Sequence, residues 1–436
     1  MKKLLPILVS CALGTSAVSA WAENLTNIYD QAKLSDPTLL SAEAQKDAAF
    51  EQIQASHGVL LPQINLTAGY TLTRSDLNSA NSDRASMGLG LTQSLYNRTS
   101  WLNLDSAEKS ARRADAIYAG QQQSLILRTA QAYFEVLRAK DNLEFVKAEK
   151  ATVARQLEQT KQRFDVGLSA ITDVHDAQAQ FDSVLAQEIL AENELTNSYE
   201  SIREITGKEY QSLSTLDTKR FSASRPAQPL NELLNTAGEK NLSLLSMRIA
   251  QDIARDQVRL ASAGKLPTLN LSANYNMLNE FNSDNNYYGV YDPLDNVSVG
   301  LNFSMPLYTG GTIDANTRKA EYSLSDAGQQ LEASYRSVVK NVRAYYNNIS
   351  ASIGTIRAYQ QSVVSAKSAL DATEAGFDVG TRTIVDVLDS TRRLYDANRS
   401  LANARYDYIL SVLQLKQAVG TLSEQDIVDI SAGLSN

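Results

Sequence analysis

Four aspartates at regular spacing carry the clearest chemical signal in this chain. Asp386 and Asp389 stand three residues apart, so a helix would place both carboxylates on one face. Carboxylates that line a passage select cations and repel anions. The alternative is structural, because an acid in the first turn of a helix favours the positive helix end by about 0.3–1 kcal/mol. Asp173 and Asp176 repeat the spacing in the first half of the chain, where capping is the stronger interpretation.

Residues for catalysis or cofactor binding are scarce. His57 and His175 are the only histidines, and the sequence has no metal-ligand cluster, no Gly-x-Ser-x-Gly motif and no phosphate-binding loop. His175 lies between two aspartates and is interpreted as a surface histidine. An exported hydrolase is disfavoured because no nucleophile and base are arranged for it. We therefore predict no enzyme, no cofactor and no resident metal, although the acidic pair of the second half is suited to block by multivalent cations.

These aspartates lie in a segment that occurs twice. Phe164-Asp165-Val166-Gly167 is followed by Ile-x-Asp-Val-x-Asp, and Phe377-Asp378-Val379-Gly380 is followed by the same pattern at the same offset. An internal repeat indicates a duplicated structural unit. We predict a first repeat over residues 23–225 and a second over 226–436, with a connector containing Ser, Thr and Pro around 215–229.

The N-terminus has the features of a secretory signal peptide. Two lysines form a basic start, residues 4–13 are apolar, and Ala20-Trp21-Ala22 has the small-x-small form of a cleavage site. We predict that residues 1–22 are the signal. A lipoprotein signal ending at Cys11 is the alternative, and it is disfavoured because the apolar run before Cys11 is short.

Cleavage at that site leaves an acidic chain without thiols. The full chain has a formal net charge of −8, and loss of Lys2 and Lys3 changes it to −10, since the signal holds no acid. An acidic chain argues against nucleic acid as a partner. Cys11 is the one cysteine, so the mature chain has neither disulfide nor thiolate chemistry.

Proline is absent from two long stretches that are rich in helix-forming residues. None occurs between Pro62 and Pro226, and none follows Pro306. Ala, Gln, Leu, Lys, Glu and Arg dominate these stretches, and apolar residues recur at the intervals of a coiled coil. One continuous helix there would be on the order of 100 Å long at 1.5 Å per residue. We predict four long helices, over about 98–165, 170–206, 311–378 and 383–420.

Four short segments alternate between apolar and polar residues. In the first, Ile64, Leu66 and Tyr70 alternate with Asn, Thr and Gly. Such alternation puts the apolar side chains on one face of a strand. The other face has hardly a charge, which favours a membrane barrel around water over a soluble sheet resting on a core. The predicted strands cover about 63–73, 86–95, 268–278 and 296–306.

Four strands are too few to close a membrane barrel. Bacterial barrels have at least eight, and unpaired strand edges in lipid cost several kcal/mol for each backbone group. Several copies of the chain must therefore contribute strands to one barrel. The strand count leaves open whether two or three copies do so.

The duplicated unit of helix, strand pair and long helix resembles the TolC outer-membrane efflux family. A Leu-Pro pair before the first strand of each half and the Val-Gly-x-x-x-Ile-x-Asp-Val hairpin carry the resemblance, which runs from Glu23 to about Leu434. It implies an α+β membrane protein, in which a homotrimer forms one twelve-stranded outer-membrane β-barrel with four strands per chain. That barrel would continue as a long periplasmic α-helical barrel of coiled-coil hairpins.

The resemblance also implies a function and partners. The family provides a passive exit duct for tripartite drug efflux pumps and type I protein secretion, gated at its periplasmic helical tip. We expect localisation in the outer membrane of a Gram-negative bacterium, in contact with its lipid. The expected partners are a periplasmic adaptor protein and an inner-membrane efflux pump or ABC transporter. The alternative, from another class, is a soluble periplasmic coiled-coil adaptor or scaffold.

Site residues follow from the resemblance position by position. It assigns the acidic constriction of the channel to Asp386 and Asp389. It implies that Arg382 pairs near Asp173 and so locks neighbouring hairpins in the closed state. Ordinary surface charge of a coiled coil is the alternative for this pair.

A second lock and the docking tips are implied in the same way. Gln156 would face Glu374, and Phe377 stands where the matched family member has a tyrosine, so it cannot donate a hydrogen bond to the lock. Glycines at the turns permit a left-handed conformation. The hairpin tips expected to dock the adaptor consist of Val166, Gly167, Leu168, Val379, Gly380 and Thr381.

Overall fold

The computed structural model of the chain describes residues 23–74, 82–280 and 294–435. The predicted signal peptide and the middle of both strand-to-strand loops lie outside the described residues. The helices and strands, in chain order, are α1 Leu25–Ser35, α2 Pro37–Gly58, β1 Gln63–Thr73, β2 Ser82–Asn97, α3 Arg98–Asp165, α4 Ile171–Thr206, β3 Thr215–Leu216, α5 Leu230–Lys240, α6 Leu242–Ala263, β4 Thr268–Glu280, β5 Leu294–Ser304, α7 Thr312–Asp378, α8 Ile384–Val419, α9 Glu424–Ser431 and β6 Leu434–Ser435.

Two very long helices dominate the molecule. α3 has 68 residues and α7 has 67, and neither contains a proline. α3 begins directly after β2, where the Asn97 side chain accepts a 3.0 Å hydrogen bond from the Thr99 amide. Such a cap satisfies one of the free amides of the first helical turn. α7 begins after Gly311, whose φ is 82°.

The helices pack side by side in two successive layers. Near the turns the order is α4–α3–α8–α7, and near the sheet it is α2–α3–α6–α7. The shorter helices therefore follow one another end to end along the two long ones. Ser35, the last residue of α1, donates from Oγ to the Thr206 carbonyl (2.9 Å) at the end of α4. Asn241, just before α6, donates from Nδ2 to the Ala418 carbonyl (2.9 Å) near the end of α8.

The four long strands form one antiparallel sheet in the order β1-β2-β4-β5. Leu66 pairs with Leu89, Leu89 with Tyr275, and Tyr275 with Val297, so one face is apolar across all four strands. The neighbouring register positions, such as Gly88, form a polar face of small residues. β1 and β5 are the two edges, and within the described residues no strand pairs with the outer side of either.

Two apolar clusters hold the helices together. The larger surrounds Tyr133 and Phe134 at mid-length, where the Tyr133 hydroxyl donates to the Ser214 carbonyl (2.6 Å) and the small β3–β6 sheet lies nearby. No helix in the described ranges is long and apolar enough to cross a bilayer. The second cluster lies toward the turns, and its buried members include Val153, Leu157, Val184, Leu370, Phe377, Ile384, Val387 and Leu388.

Candidate functional site

Two helix–turn–helix tips lie at the same end of the molecule. Tip 1, residues 162–176, joins α3 to α4, and tip 2, residues 375–389, joins α7 to α8. Gly167 and Gly380 occupy the left-handed region with φ of 75° and 78°. A Cβ at such a φ is strained against its own backbone, so glycine is the residue that this turn requires. The amides beyond each turn donate back to the helix end at 2.8 Å, Leu168 to the Arg163 carbonyl and Thr381 to the Gly376 carbonyl.

Asp386 caps the helix that follows the second turn. Its Oδ2 accepts hydrogen bonds from the Thr383 amide (2.9 Å) and the Thr383 hydroxyl (2.9 Å), and the Asp386 amide donates to that hydroxyl (3.3 Å). These bonds favour the ionised carboxylate, first through the amide and then through the hydroxyl, and the charge of Arg382 acts in the same direction. The pKa of Asp386 is lowered from its ordinary value as a result.

Asp173 caps α4 with donors from two different residues. Its Oδ2 accepts from the Ser169 hydroxyl (2.6 Å) and from the Ala170 amide (3.2 Å). Ala170 occupies the N-cap position, so no side-chain hydroxyl caps the helix there. His175 and Asp176 follow on the same turn of α4, and both are exposed to solvent.

Asp389 lies between two arginines one turn further along α8. Its carboxylate is 2.8 Å from Arg392 Nη2 and 2.6 Å from Arg393 Nη2. Asp386 has no arginine or lysine nitrogen within 4.0 Å among the described residues. The two members of the predicted acidic constriction therefore have different electrostatic surroundings.

Arg163 joins tip 1 to tip 2, and the sequence interpretation did not identify it. Its guanidinium carbon lies 4.4 Å from the centre of the Phe377 ring, and Nη1 is 3.9 Å from Asp378 Oδ1. Phe377 is 9% exposed. A cation over an aromatic face in a partly desolvated place contributes about 0.5–2 kcal/mol. The ring of Phe377 thus takes part in a contact between the tips without a hydroxyl.

The repeat alignment contains a signal that points to Arg163. Arg163 and Gly376 have the same offset from the turn glycine, and so do Ser169 and Arg382. A Cβ on Gly376 would stand 2.7 Å from Arg382 Cγ, so the missing side chain makes room for this arginine. Each tip therefore has one arginine, before the turn in tip 1 and after it in tip 2.

The predicted lock residues do not meet one another among the described residues of this chain. Arg382 lies against Gly376 and forms no ion pair there with Asp173. Gln156 is buried and donates from Nε2 to Thr391 Oγ1 (3.0 Å), whereas Glu374 is exposed to solvent.

The two turns present apolar side chains to solvent. Val166, Leu168 and Val379 are each about 70% exposed or more. Gly167, Gly380 and Thr381 complete the predicted docking surface, and all three are exposed. Exposed apolar side chains of this size, clustered at one end of a molecule, are typical of an interaction surface.

Comparison with known proteins identifies the family. The model of the family described as "Outer membrane efflux protein" matches residues 28–208 and 233–421. The outer membrane protein TolC of Vibrio cholerae serotype O1 is 64% identical over 434 residues, which cover 100% of this chain and 99% of that protein. The alkaline protease secretion protein AprF of Pseudomonas aeruginosa is 29% identical, over 99% of this chain and 92% of that protein.

Solved structures of channels share the fold. The Campylobacter jejuni outer membrane channel CmeC matches 95% of this chain and 90% of its own with a TM-score of 0.79 and 19% identity. The open state of the Neisseria gonorrhoeae outer membrane channel MtrE matches 92% and 90% with a TM-score of 0.76 and 18% identity. The predicted fold class is confirmed by these similarities.

The predicted outer-membrane location and channel function are confirmed by the relatives, and the soluble adaptor alternative finds no support among them. A family model that covers both halves of the repeat, together with a relative that is similar from end to end, leaves one assignment. The chain belongs to the outer membrane efflux protein family.

Proposed function

We propose that three copies of this chain form one duct through the outer membrane and across the periplasm. The observation that carries the proposal is that the sheet and the helical layer nearest the turns each have two free edges. Within the described residues, the sheet ends at β1 and β5, and the helical layer nearest the turns ends at α4 and α7. If β1 of one copy pairs with β5 of the next, α4 of one copy also meets α7 of the next, and both layers close into tubes.

The sheet has the surfaces that such a barrel needs. Ile64, Val297, Val299 and Leu301 are between 67% and 73% exposed on one face. The opposite face carries Gly, Ser, Thr and Asn. Lipid stabilises the first face, water stabilises the second, and closure satisfies the edge backbone groups that lipid leaves unpaired.

The proposed activity is passive passage of cargo handed over by inner-membrane machinery. The names of the family and of a relative support efflux and protein secretion as the processes. The apolar surface of the turns, around Val166, Leu168 and Val379, supports the tips as the place where a periplasmic adaptor docks. An inner-membrane efflux pump or ABC transporter supplies the energy, since no nucleotide-binding motif occurs in the chain.

We place the gate at the tips, with Asp386 and Asp389 facing the passage. The carboxylate of Asp386 stays ionised because Thr383 holds it, which suits a ring that attracts cations. In the closed state Arg382 would pair with Asp173, and Gln156 would pair with Glu374. Arg382 has no ion pair with an acid among the described residues of the single chain, so it is available for such a pairing.

Detergent-purified protein in a planar lipid bilayer tests this proposal. We expect the mass of three chains, discrete conductance steps, and block by lanthanum ions from the periplasmic side. Asp386→Ala combined with Asp389→Ala should abolish the block, and the matched pair Asp173→Ala with Asp176→Ala should preserve it. A water-soluble monomer, or a block that survives loss of Asp386 and Asp389, contradicts the proposal.

A further inference from the structure

One face of α8 carries charged residues at helical spacing. Asp386, Asp389, Arg393 and Asp396 follow each other at intervals of three and four residues, and Asp407 continues the same stripe. The opposite face of the helix packs into the second apolar cluster, which lies toward the turns. That buried face contains Ile384, Val387, Leu388 and Thr391.

In the described part of the chain, arginine accompanies every acid of this stripe except Asp386. Arg392 and Arg393 contact Asp389 at 2.8 and 2.6 Å. Arg399 Nη1 lies 2.9 Å from Asp396 Oδ1. Further along, Arg138 of α3 reaches Asp407 at 2.6 Å. The hydrogen bonds from Thr383 occupy Asp386 instead, and they carry no opposite charge.

The formal charges make the two predicted acidic positions opposite in sign. One aspartate and two arginines give the Asp389 group a charge of −1 + 2 = +1 in each chain. Asp386 contributes −1, because its neighbour Arg382 acts on it from beyond ion-pair distance and is the residue proposed to pair with Asp173. The Cα atoms of Asp386 and Arg392 are about 9 Å apart along the helix axis at 1.5 Å per residue. This is close to the Debye length of about 8–10 Å, so an ion in the passage experiences both groups.

We propose that Arg392 and Arg393 determine how selective the tip is, by converting the second acidic ring into a net positive one. Asp386 then supplies the cation preference alone, and the arginines limit it. The geometry does not require strong ion pairs, since Arg392 and Arg393 are 56% and 73% exposed and such surface pairs are weak. Their charge acts through the field inside a narrow passage. A duct with adjacent rings of opposite sign discriminates little between acidic and basic cargo.

This inference rests on the proposed function, because it needs Asp386 and its neighbours to face the passage. Arg392→Gln combined with Arg393→Gln tests it in planar bilayers, and glutamine keeps the helix propensity of α8. We expect half-block by periplasmic lanthanum at a roughly tenfold lower concentration, because the net positive ring that repels the ion is gone. The reversal potential in a potassium chloride gradient should shift toward stronger cation preference.

Asp389→Asn should change lanthanum block and cation preference in the opposite direction. It leaves both arginines without their acid, so we expect weaker lanthanum block and lower cation preference. Arg220→Gln serves as the matched control, because Arg220 also contacts an aspartate three residues earlier, Asp217 at 3.4 Å, but lies in the connector between the halves. It should leave both readouts unchanged.

The pattern of results separates the two ideas. If Asp386→Asn abolishes the block and the arginine pair has no effect, the inference is wrong while the proposed constriction stands. If Asp386→Asn preserves the block, the proposed constriction itself is wrong. A stronger block in the arginine variant and a weaker one in Asp389→Asn support the inference, and any other order of these two variants contradicts it.

Discussion

The two hairpin tips share a sequence motif and a turn geometry but use their charges differently. In tip 1, Arg163 precedes the turn and extends across to the Phe377 ring and Asp378 of tip 2. In tip 2, the equivalent position is Gly376, and Arg382 follows the turn instead. The two tips therefore share a turn geometry, but their single arginines lie on opposite sides of the turn.

The caps of the following helices differ in the same way. Thr383 and Asp386 cap α8 reciprocally, whereas Asp173 accepts from the Ser169 hydroxyl and the Ala170 amide, and Ala170 has no hydroxyl that could accept a bond in return. The second tip thus combines a reciprocal cap with an arginine that forms no ion pair among the described residues. Arg163 thus connects tip 1 to tip 2, whereas Arg382 of tip 2 is the residue that we propose for the gate.

Of the changes considered, loss of Arg382 should have the largest effect, which is on single-channel conductance. If Arg382 locks the closed tip through Asp173, Arg382→Ser removes a charge-assisted hydrogen bond of about 1.5–3 kcal/mol from each chain. Single-channel conductance should rise clearly above that of the unmodified protein. Arg336→Ser is the control, because Arg336 forms an exposed pair with Glu332 on α7 (2.7 Å). Equal conductance in both variants would remove Arg382 from the gate.

Gly376→Ala should not raise the free energy of unfolding, although glycine-to-alanine substitutions normally stabilise helices. Glycine to alanine inside a helix gains roughly 0.5–1 kcal/mol of unfolding free energy. Gly354 of the same helix has open space where a Cβ would stand, so Gly354→Ala should show that gain, whereas Gly376→Ala should lose it through contact with Arg382. The midpoint of chemical unfolding in detergent measures both. A gain at both positions contradicts the role assigned to Gly376.

The contact between Arg163 and Phe377 should appear as coupling between the tips. We expect a double-mutant cycle of Arg163→Gln and Phe377→Leu to give about 0.5–1 kcal/mol. Hydrogen exchange of the Leu168 amide, which donates to the Arg163 carbonyl, reports local opening of tip 1. Phe377→Tyr keeps the aromatic ring and should retain most of the coupling. Additive single effects would mean that the ring and the guanidinium do not interact.

The cap of α8 predicts how cation block depends on pH in the unmodified chain and in variants of Thr383. Hydrogen bonds from Thr383 lower the pKa of Asp386, so the charge needed for cation block persists on acidification and is lost only as pH falls through that lowered pKa. Thr383→Ala removes one donor and should move this loss to higher pH. Thr383→Ser retains the hydroxyl and should behave like the unmodified chain. An unchanged titration in Thr383→Ala would show that the hydroxyl does not hold the carboxylate.

Much of the architecture is encoded in local sequence. Stretches without proline produce helices as long as α3 and α7, and strict alternation around Leu66 and Val297 produces strands with one apolar face. The β3–β6 pair was not predicted, because strands of two residues show no alternation. The end-to-end meeting of α8 and α6 at Asn241 also depends on contacts distant in sequence.

The tip residues also include some whose role is encoded in local sequence and some whose contacts join distant segments. The capping role of Asp386 follows from its position three residues after Thr383. The spacing of Asp389 and Arg393 also contains a signal, since residues four apart meet on a helix, although the sequence interpretation did not use it. The contact between Arg163 and Phe377 joins distant segments, and only the repeat alignment offers a clue to it.

The proposal that Asp386 faces the passage, whereas Asp173 at the matching position of tip 1 does not, can be tested directly with cysteine. Cys11 is the chain's only cysteine and lies in the predicted signal, so the mature chain offers a background without thiols. Asp386→Cys and Asp173→Cys channels would be treated in a bilayer with a positively charged methanethiosulfonate from the periplasmic side. We predict stepwise changes in current for Asp386→Cys and a constant current for Asp173→Cys. Equal changes at both positions, or changes at Asp173→Cys alone, would contradict the account.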